Sequence, residues 1–258
     1  MKLCYSSRPY ALYSWNYFEA KQKAFGIKNA ELFGGTPHIW VDHIGYTIPE
    51  ELKSSSLDLM MYTPKPYNYS FCAVDPDQIQ KTSDYYRNCV DAAGELGIRE
   101  LSVTLTGGCL DAPERAKHEN AVSQLRSLAS YAESRGINLH LAPSGRQAES
   151  EAFDLKSVCT ILEEAGAANV FAMPDITAMA GQGETPEQWA DRLGDRIRSI
   201  RVSDTETLPE KYAEGISRMK SVSAVYIGLR SDDYWDDPGK WEALSLEHIR
   251  PVVEDIVI

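Results

Sequence analysis

The sequence has few of the features that mark disulfide-linked, zinc-binding or membrane proteins. Its five cysteines lie far apart and form no CxxC pair, so we expect neither a disulfide framework nor a cysteine zinc cluster, and we predict a cytoplasmic location. No apolar run reaches the roughly 18 residues of a membrane span. The first residues carry no long apolar stretch either, so the sequence predicts no signal peptide.

Positive charge is also scarce. The chain has 26 lysines and arginines against 38 acidic residues, which gives a formal net charge of −12. Such a surface repels the phosphates of nucleic acids and the headgroups of anionic lipids. We therefore expect no nucleic-acid partner and no membrane partner. A small molecule remains the expected partner, and a homo-oligomer is left open.

A glycine-rich turn after the first β-like run is missing as well. Residues 6–10 read Ser-Ser-Arg-Pro-Tyr, which disfavours an open, doubly wound nucleotide-binding sheet.

Instead, eight β-like runs alternate with helical segments. The runs are 2–7, 29–34, 57–64, 99–107, 138–143, 170–176, 197–204 and 224–230. The clearest helical segment is 113–135, where apolar residues recur on one face and Gly136 follows as a helix-ending glycine. The length of 258 residues is close to the roughly 250 of a closed barrel. We therefore predict one domain over residues 1–258 with an α/β fold, a (β/α)₈ TIM barrel.

In such barrels the functional residues lie where the strands end, at the C-terminal mouth. The predicted site residues are Tyr5, Glu31, His38, Tyr62, Asp175, Arg201 and Arg230. Two of them have a structural alternative. Glu31 is equally compatible with pairing to a neighbouring arginine, and His38 with packing inside a loop.

Several motifs carry a family resemblance. Ala-Glu-Leu-Phe-Gly-Gly-Thr-Pro-His-Ile-Trp at 30–40 resembles the second-strand motif of the xylose isomerase-like sugar isomerase and epimerase superfamily. Tyr-Thr-Pro at 62–64, Pro-Asp-Ile-Thr-Ala at 174–178 and Leu-Gly-Asp-Arg-Ile at 193–197 are similar to the same group. The nearest branch is that of fructoselysine and ketose 3-epimerases. The resemblance implies a barrel with one divalent metal held by Glu, Asp, His and Glu, in which the two glutamates move the proton beside a ketose carbonyl.

This sequence departs from that ligand set. The resemblance places Ala142 at the first glutamate, Asp175 at the aspartate, Arg201 at the histidine, and Gly228 or Leu229 at the second glutamate. Because one ligand of four remains, we expect no metal cofactor, with Mn²⁺ or Mg²⁺ as the alternative. Arg201 is expected to interact with Asp175 directly or through one water, and so to replace the lost cation electrostatically.

The expected function is to act on, or bind, a ketose-like sugar or polyol without the metal of the family. Asp175 is the catalytic candidate, and the other six site residues are expected to contact the sugar. Three alternatives stay open: an inactive homologue that binds sugar or serves as a partner subunit, a metal-independent enzyme using Asp175, Asp204 or His38 for proton transfer, and a metal-dependent epimerase with unrecognised ligands. The sequence does not carry the dense zinc cluster or basic face of DNA-repair endonucleases in the same superfamily.

Overall fold

The computed structural model describes residues 1–66, 68–144, 150–203, 209–228 and 237–256. These residues form ten strands: β1 Lys2–Ser6, β2 Asn29–Gly34, β3 Trp40–Asp42, β4 Gly45–Thr47, β5 Asp58–Pro64, β6 Glu100–Val103, β7 Asn138–Leu141, β8 Val170–Ala172, β9 Ser199–Val202 and β10 Ala224–Ile227. Eight of them form one sheet, and β3 and β4 form a separate antiparallel hairpin that the sequence analysis did not predict.

The eight-stranded sheet is a parallel barrel. Its hydrogen-bonded order is β8, β7, β6, β5, β2, β1, β10 and β9. Two isolated parallel bridges, Ala172 with Ile197 and Asp175 with Arg201, join the two end strands and bring the sheet close to closure. The predicted TIM-barrel fold is therefore confirmed, and each predicted strand run contains one strand of the barrel.

Helices follow the strands and cover the outside of the barrel. They are α1 Trp15–Ala24, α2 Glu50–Lys53, α3 Pro76–Glu95, α4 Glu114–Ser134, α5 Leu155–Ala165, α6 Ile176–Gly181, α7 Pro186–Leu193, α8 Pro209–Arg218 and α9 Pro238–Ile256. Local sequence sets their ends. Asp75 caps α3 by accepting a hydrogen bond from the backbone N–H of Gln78 at 3.0 Å. Gly136 ends α4 with a φ of +66°, a conformation that glycine adopts without strain.

The apolar residues form two separate cores. The larger one fills the layer between the strands and the helices and includes Leu32, Trp189 and Ile200. The smaller one lies inside the barrel and consists of Cys4, Met61, Met173, Ala224 and Tyr226. Successive strand residues point to opposite faces, so β1, β5 and β10 each contribute residues to both cores.

This alternation corrects the prediction for two site residues. Tyr5 and Tyr62 are fully buried in the outer core, next to Met61 and Cys4 of the inner one. Burial raises the pKa of Tyr62 well above its ordinary value, with Cys89 of α3 adding to the shift. Tyr5 faces Glu242 and Ser245 of α9. The prediction that Tyr5 and Tyr62 contact a sugar at the mouth is therefore wrong, because both side chains point away from the barrel interior.

Within the described ranges, no helix combines the length and the apolar character that crossing a membrane requires.

Candidate functional site

The centre of the site is an ion pair inside the barrel. Arg201 of β9 donates a hydrogen bond from Nη2 to Glu31 Oε1 on β2, across the barrel interior. The hydroxyl of Thr63 on β5 donates to the same carboxylate oxygen, and the hydroxyl of Ser102 on β6 donates to Thr63 Oγ1 at 2.8 Å. We call Glu31, Thr63, Ser102 and Arg201 the Arg201 network. It links four strands near the C-terminal mouth.

Exposure separates the two charged members of this network. The side chain of Glu31 is fully buried, whereas that of Arg201 is 14% exposed. The carboxylate is therefore closed off from solvent, whereas the Arg201 side chain keeps a small exposed fraction. Glu31 Oε2 has no hydrogen-bond partner among the described residues. Glu31 thus acts as the anchor of Arg201, which is the structural alternative considered for it above.

Arg201 is a fixed positive charge. Burial alone lowers the pKa of a guanidinium, but the carboxylates of Glu31 and Asp175 more than compensate, so the pKa of Arg201 lies above its ordinary value. Its side chain also lies beside Gly228, whose missing Cβ would be 3.8 Å from Arg201 Nη1. The barrel therefore presents a permanent cation on its inner face.

Asp175 makes different contacts from those predicted. Its Oδ1 accepts hydrogen bonds from the backbone N–H groups of Thr177 at 2.9 Å and Ala178 at 3.3 Å, which caps α6. Its Oδ2 accepts a hydrogen bond from the hydroxyl of Ser203. The Asp175 and Arg201 side chains form no direct hydrogen bond with each other, because the start of α6 supplies donors that satisfy this carboxylate locally. The Asp175 charge still acts on Arg201, and a contact through one water stays a prediction. The two residues meet through their backbones instead, where Arg201 N–H donates to Pro174 O at 2.9 Å.

His38 is a packing residue in this structure. Its side chain is fully buried, with Nδ1 3.2 Å from Ser7 Oγ and Nε2 3.1 Å from the carbonyl oxygen of Tyr13. Because a carbonyl only accepts, we assign the proton to Nε2. Burial lowers the pKa of His38 to about 4, so the ring is neutral at physiological pH. The expectation that His38 contacts a sugar is therefore wrong, and the packing alternative describes it.

Arg230 and Asp204 lie outside the described residues. Two residues of the Arg201 network were not among the predicted site residues. They are Thr63, the neighbour of the predicted Tyr62, and Ser102. The register of β2 against β5 shifts by one residue at Ala30 and Glu31, and a shift of this kind leaves no mark in the sequence.

The residues at the four positions of the implied metal site do not fit a divalent cation. Ala142 and Gly228 offer no side-chain ligand, Arg201 is a cation, and Asp175 already accepts three hydrogen bonds. A hard divalent cation needs several oxygen or nitrogen ligands, and a neighbouring guanidinium repels it. The part of the chain that the structure describes also contains no group of three or more His, Cys, Asp or Glu side chains able to hold a metal ion.

Comparison with known families identifies this barrel. The model of the xylose isomerase-like TIM-barrel family matches residues 21–222. The chain belongs to this family. The sequence resemblance stated above is thereby confirmed.

Individual similar proteins and solved structures indicate how far the likeness extends. The fructoselysine 3-epimerase of Shigella flexneri is 23% identical over 248 residues, which cover 89% of this chain and 90% of that protein. The structure of D-psicose 3-epimerase in the presence of D-fructose aligns with a TM-score of 0.74 at 13% identity, covering 98% of this chain and 97% of the other. The IolI protein with a bound zinc atom aligns with a TM-score of 0.75 at 12% identity, covering 100% and 98%. At these identities the structural likeness shows the fold.

Proposed function

We propose that this chain binds a ketose-like sugar or sugar derivative at the C-terminal mouth of the barrel, without a divalent metal. The observation that carries the proposal is the guanidinium of Arg201, held inside the barrel by the buried carboxylate of Glu31 and partly exposed toward the mouth. It occupies the position where the family resemblance implies a metal ligand.

A guanidinium suits this role chemically. It is planar, permanently charged and carries several N–H donors, so it binds sugar hydroxyl and carbonyl oxygens through charge-assisted hydrogen bonds. Glu31 fixes its orientation, and Thr63 supports Glu31 from the neighbouring strand. Thr63 Oγ1 is 3.5 Å from Arg201 Nη2, and the half-buried Ser203 lies with Arg201 beside Gly228, so hydroxyl-bearing side chains surround the guanidinium.

The same residues do not favour rapid turnover. Removing a proton from the carbon beside a ketose carbonyl needs a base within reach of that carbon. At the four family positions the described carboxylate is that of Asp175, and both of its oxygens are engaged by Thr177, Ala178 and Ser203. We therefore propose binding without epimerisation by the two-glutamate route. The names of the relatives, which include 3-epimerases of fructoselysine and D-psicose, support a ketose-like ligand.

The experiment uses saturation-transfer NMR with D-fructose, D-tagatose and D-psicose in the presence of a chelator. We expect binding of at least one ketose, and no incorporation of solvent deuterium at the carbon beside its carbonyl in D₂O. Arg201→Met should abolish binding. Arg192→Met is the matched control, because Arg192 is 61% exposed and lies in an outer helix. Deuterium incorporation that requires added Mn²⁺ would contradict the proposal.

A further inference from the structure

A second charged cluster lies outside the Arg201 network, on the helical layer. His118 of α4 stands between two carboxylates. Its Nδ1 is 2.9 Å from Glu151 Oε2, in the segment before α5, and its Nε2 is 2.7 Å from Glu164 Oε2 on α5. The side chain of His118 is 30% exposed. One imidazole ring therefore joins three parts of the chain.

The hydrogen-bond geometry determines the protonation state that this arrangement needs. An ionised carboxylate only accepts hydrogen bonds, and a neutral imidazole has a single N–H. Both contacts can form at once only when both ring nitrogens carry a proton, that is, when His118 is an imidazolium ion. Electrostatics act in the same direction. Partial burial lowers the pKa of His118, but the hydrogen bonds to Glu151 and Glu164 outweigh it and raise the pKa above its ordinary value.

The other charged groups nearby do not compete with His118 for the carboxylates of Glu151 and Glu164. Lys117 Nζ on α4 is 2.6 Å from Glu114 Oε1, so each neutralises the other. Arg126, also on α4, donates to the backbone carbonyls of Glu164 at 2.6 Å and Ala165 at 3.3 Å, and so does not compete for the Glu164 carboxylate. The thiol of Cys72 faces Glu151 and Lys117, and burial raises its pKa to about 12, so it stays neutral. His118 is thus the group left to pair with both carboxylates.

The segment that His118 holds is connected to the barrel. Glu151 N–H donates to Leu105 O at 3.0 Å, and Ser150 forms an isolated bridge with Thr106. The segment leads from there into α5, which begins at Leu155. Holding Glu151 and Glu164 together therefore fixes this connection against α4.

We propose that His118 is a proton-dependent clamp that fastens residues 150–154 and α5 to α4. With both nitrogens protonated it bonds both carboxylates. After losing one proton it keeps a single donor, and one carboxylate loses its partner. Because the folded-state pKa is raised, the stabilisation is complete below about 6.5, the ordinary histidine value, and is lost as the pH rises through the folded value.

The test combines an NMR titration of the imidazole signals with hydrogen exchange measured at a series of pH values on the whole chain. In the wild type we expect His118 to titrate above 6.5, the ordinary value, and the amides of 150–166 to lose protection through the same pH range, beyond the pH dependence of the intrinsic exchange chemistry. In His118→Gln this extra pH dependence should vanish. His43→Gln is the control, because His43 contacts Asp42 and Tyr69 near the β3–β4 hairpin, away from α5.

Two results would overturn the clamp. One is a His118 signal that titrates at or below the ordinary value. The other is an identical pH dependence of exchange in the wild type and in His118→Gln. If His118→Gln unfolds, Glu164→Gln serves instead: it removes one negative charge while keeping an acceptor oxygen, and the titration of His118 should then shift to lower pH. An unshifted titration would count against the proposal.

Discussion

Breaking the ion pair between Glu31 and Arg201 should destabilise the barrel far more than breaking a surface pair. Glu31 is fully buried and Arg201 is 14% exposed, so either residue left alone is a charge without a partner in the barrel interior. Removing one member of a buried pair typically costs about 3–5 kcal/mol, because the remaining charge stays desolvated. Glu31→Leu and Arg201→Met should each approach this cost. The double variant should cost less than the sum of the two, since it strands no charge.

The assay is a double-mutant cycle measured by thermal and denaturant unfolding. In a chain of this size, 1 kcal/mol corresponds to about 2–4 °C in Tm, so each single variant should melt on the order of 10 °C lower. The control cycle uses Arg192 and Glu163, whose Nη2–Oε1 distance is 3.2 Å but whose side chains are 61% and 70% exposed. Such a pair should show almost no coupling. Additive effects for Glu31 and Arg201, with no more coupling than in the control cycle, would refute the buried pair as the anchor of the site.

Three further predictions follow from the described contacts. Burial raises the pKa of Glu242 from 4.5 to about 7, so the contribution of this residue to stability should be most favourable below 4.5 and should be lost progressively as the pH rises to about 7 and beyond. That shift corresponds to about 3 kcal/mol, and Glu242→Gln should flatten this part of the stability profile measured by denaturation. His38 has its pKa lowered to about 4, so its imidazole NMR signal should not titrate in the neutral range; a normal titration would contradict the buried, neutral ring. Asp175→Ala should cost about 1 kcal/mol of unfolding free energy by removing the cap of α6, whereas Asp175→Asn should cost little, and equal losses would contradict the capping role.

The fold was predictable because the sequence repeats one simple pattern. Each barrel strand lies within a predicted apolar run, and α4 extends from Glu114 to Ser134 against a predicted 113–135. The end of α4 followed from Gly136, the helix-ending glycine that comes after the predicted segment. The β3–β4 hairpin was missed because each of its strands has three residues, too few for a period to stand out.

The site was predictable only in part, because its contacts depend on how the strands and helix ends are arranged in space. The partner of Arg201 depends on which carboxylate is already satisfied, and the sequence does not reveal this. The start of α6 and Ser203 satisfy Asp175, which leaves Glu31 for Arg201. Tyr62 and Thr63 are neighbours on β5 and point to opposite faces of the strand. Which of the two points into the barrel is fixed only once the strand register is known.

The most direct test of the central claim is a calorimetric titration of the chain with a ketose that binds it, performed in chelator and again with added Mn²⁺. If the fixed guanidinium of Arg201 serves in place of a metal ion, the affinity should be the same in both conditions and should be lost in Arg201→Met. Binding that is absent in chelator and restored by Mn²⁺, or binding that survives in Arg201→Met, would contradict the account.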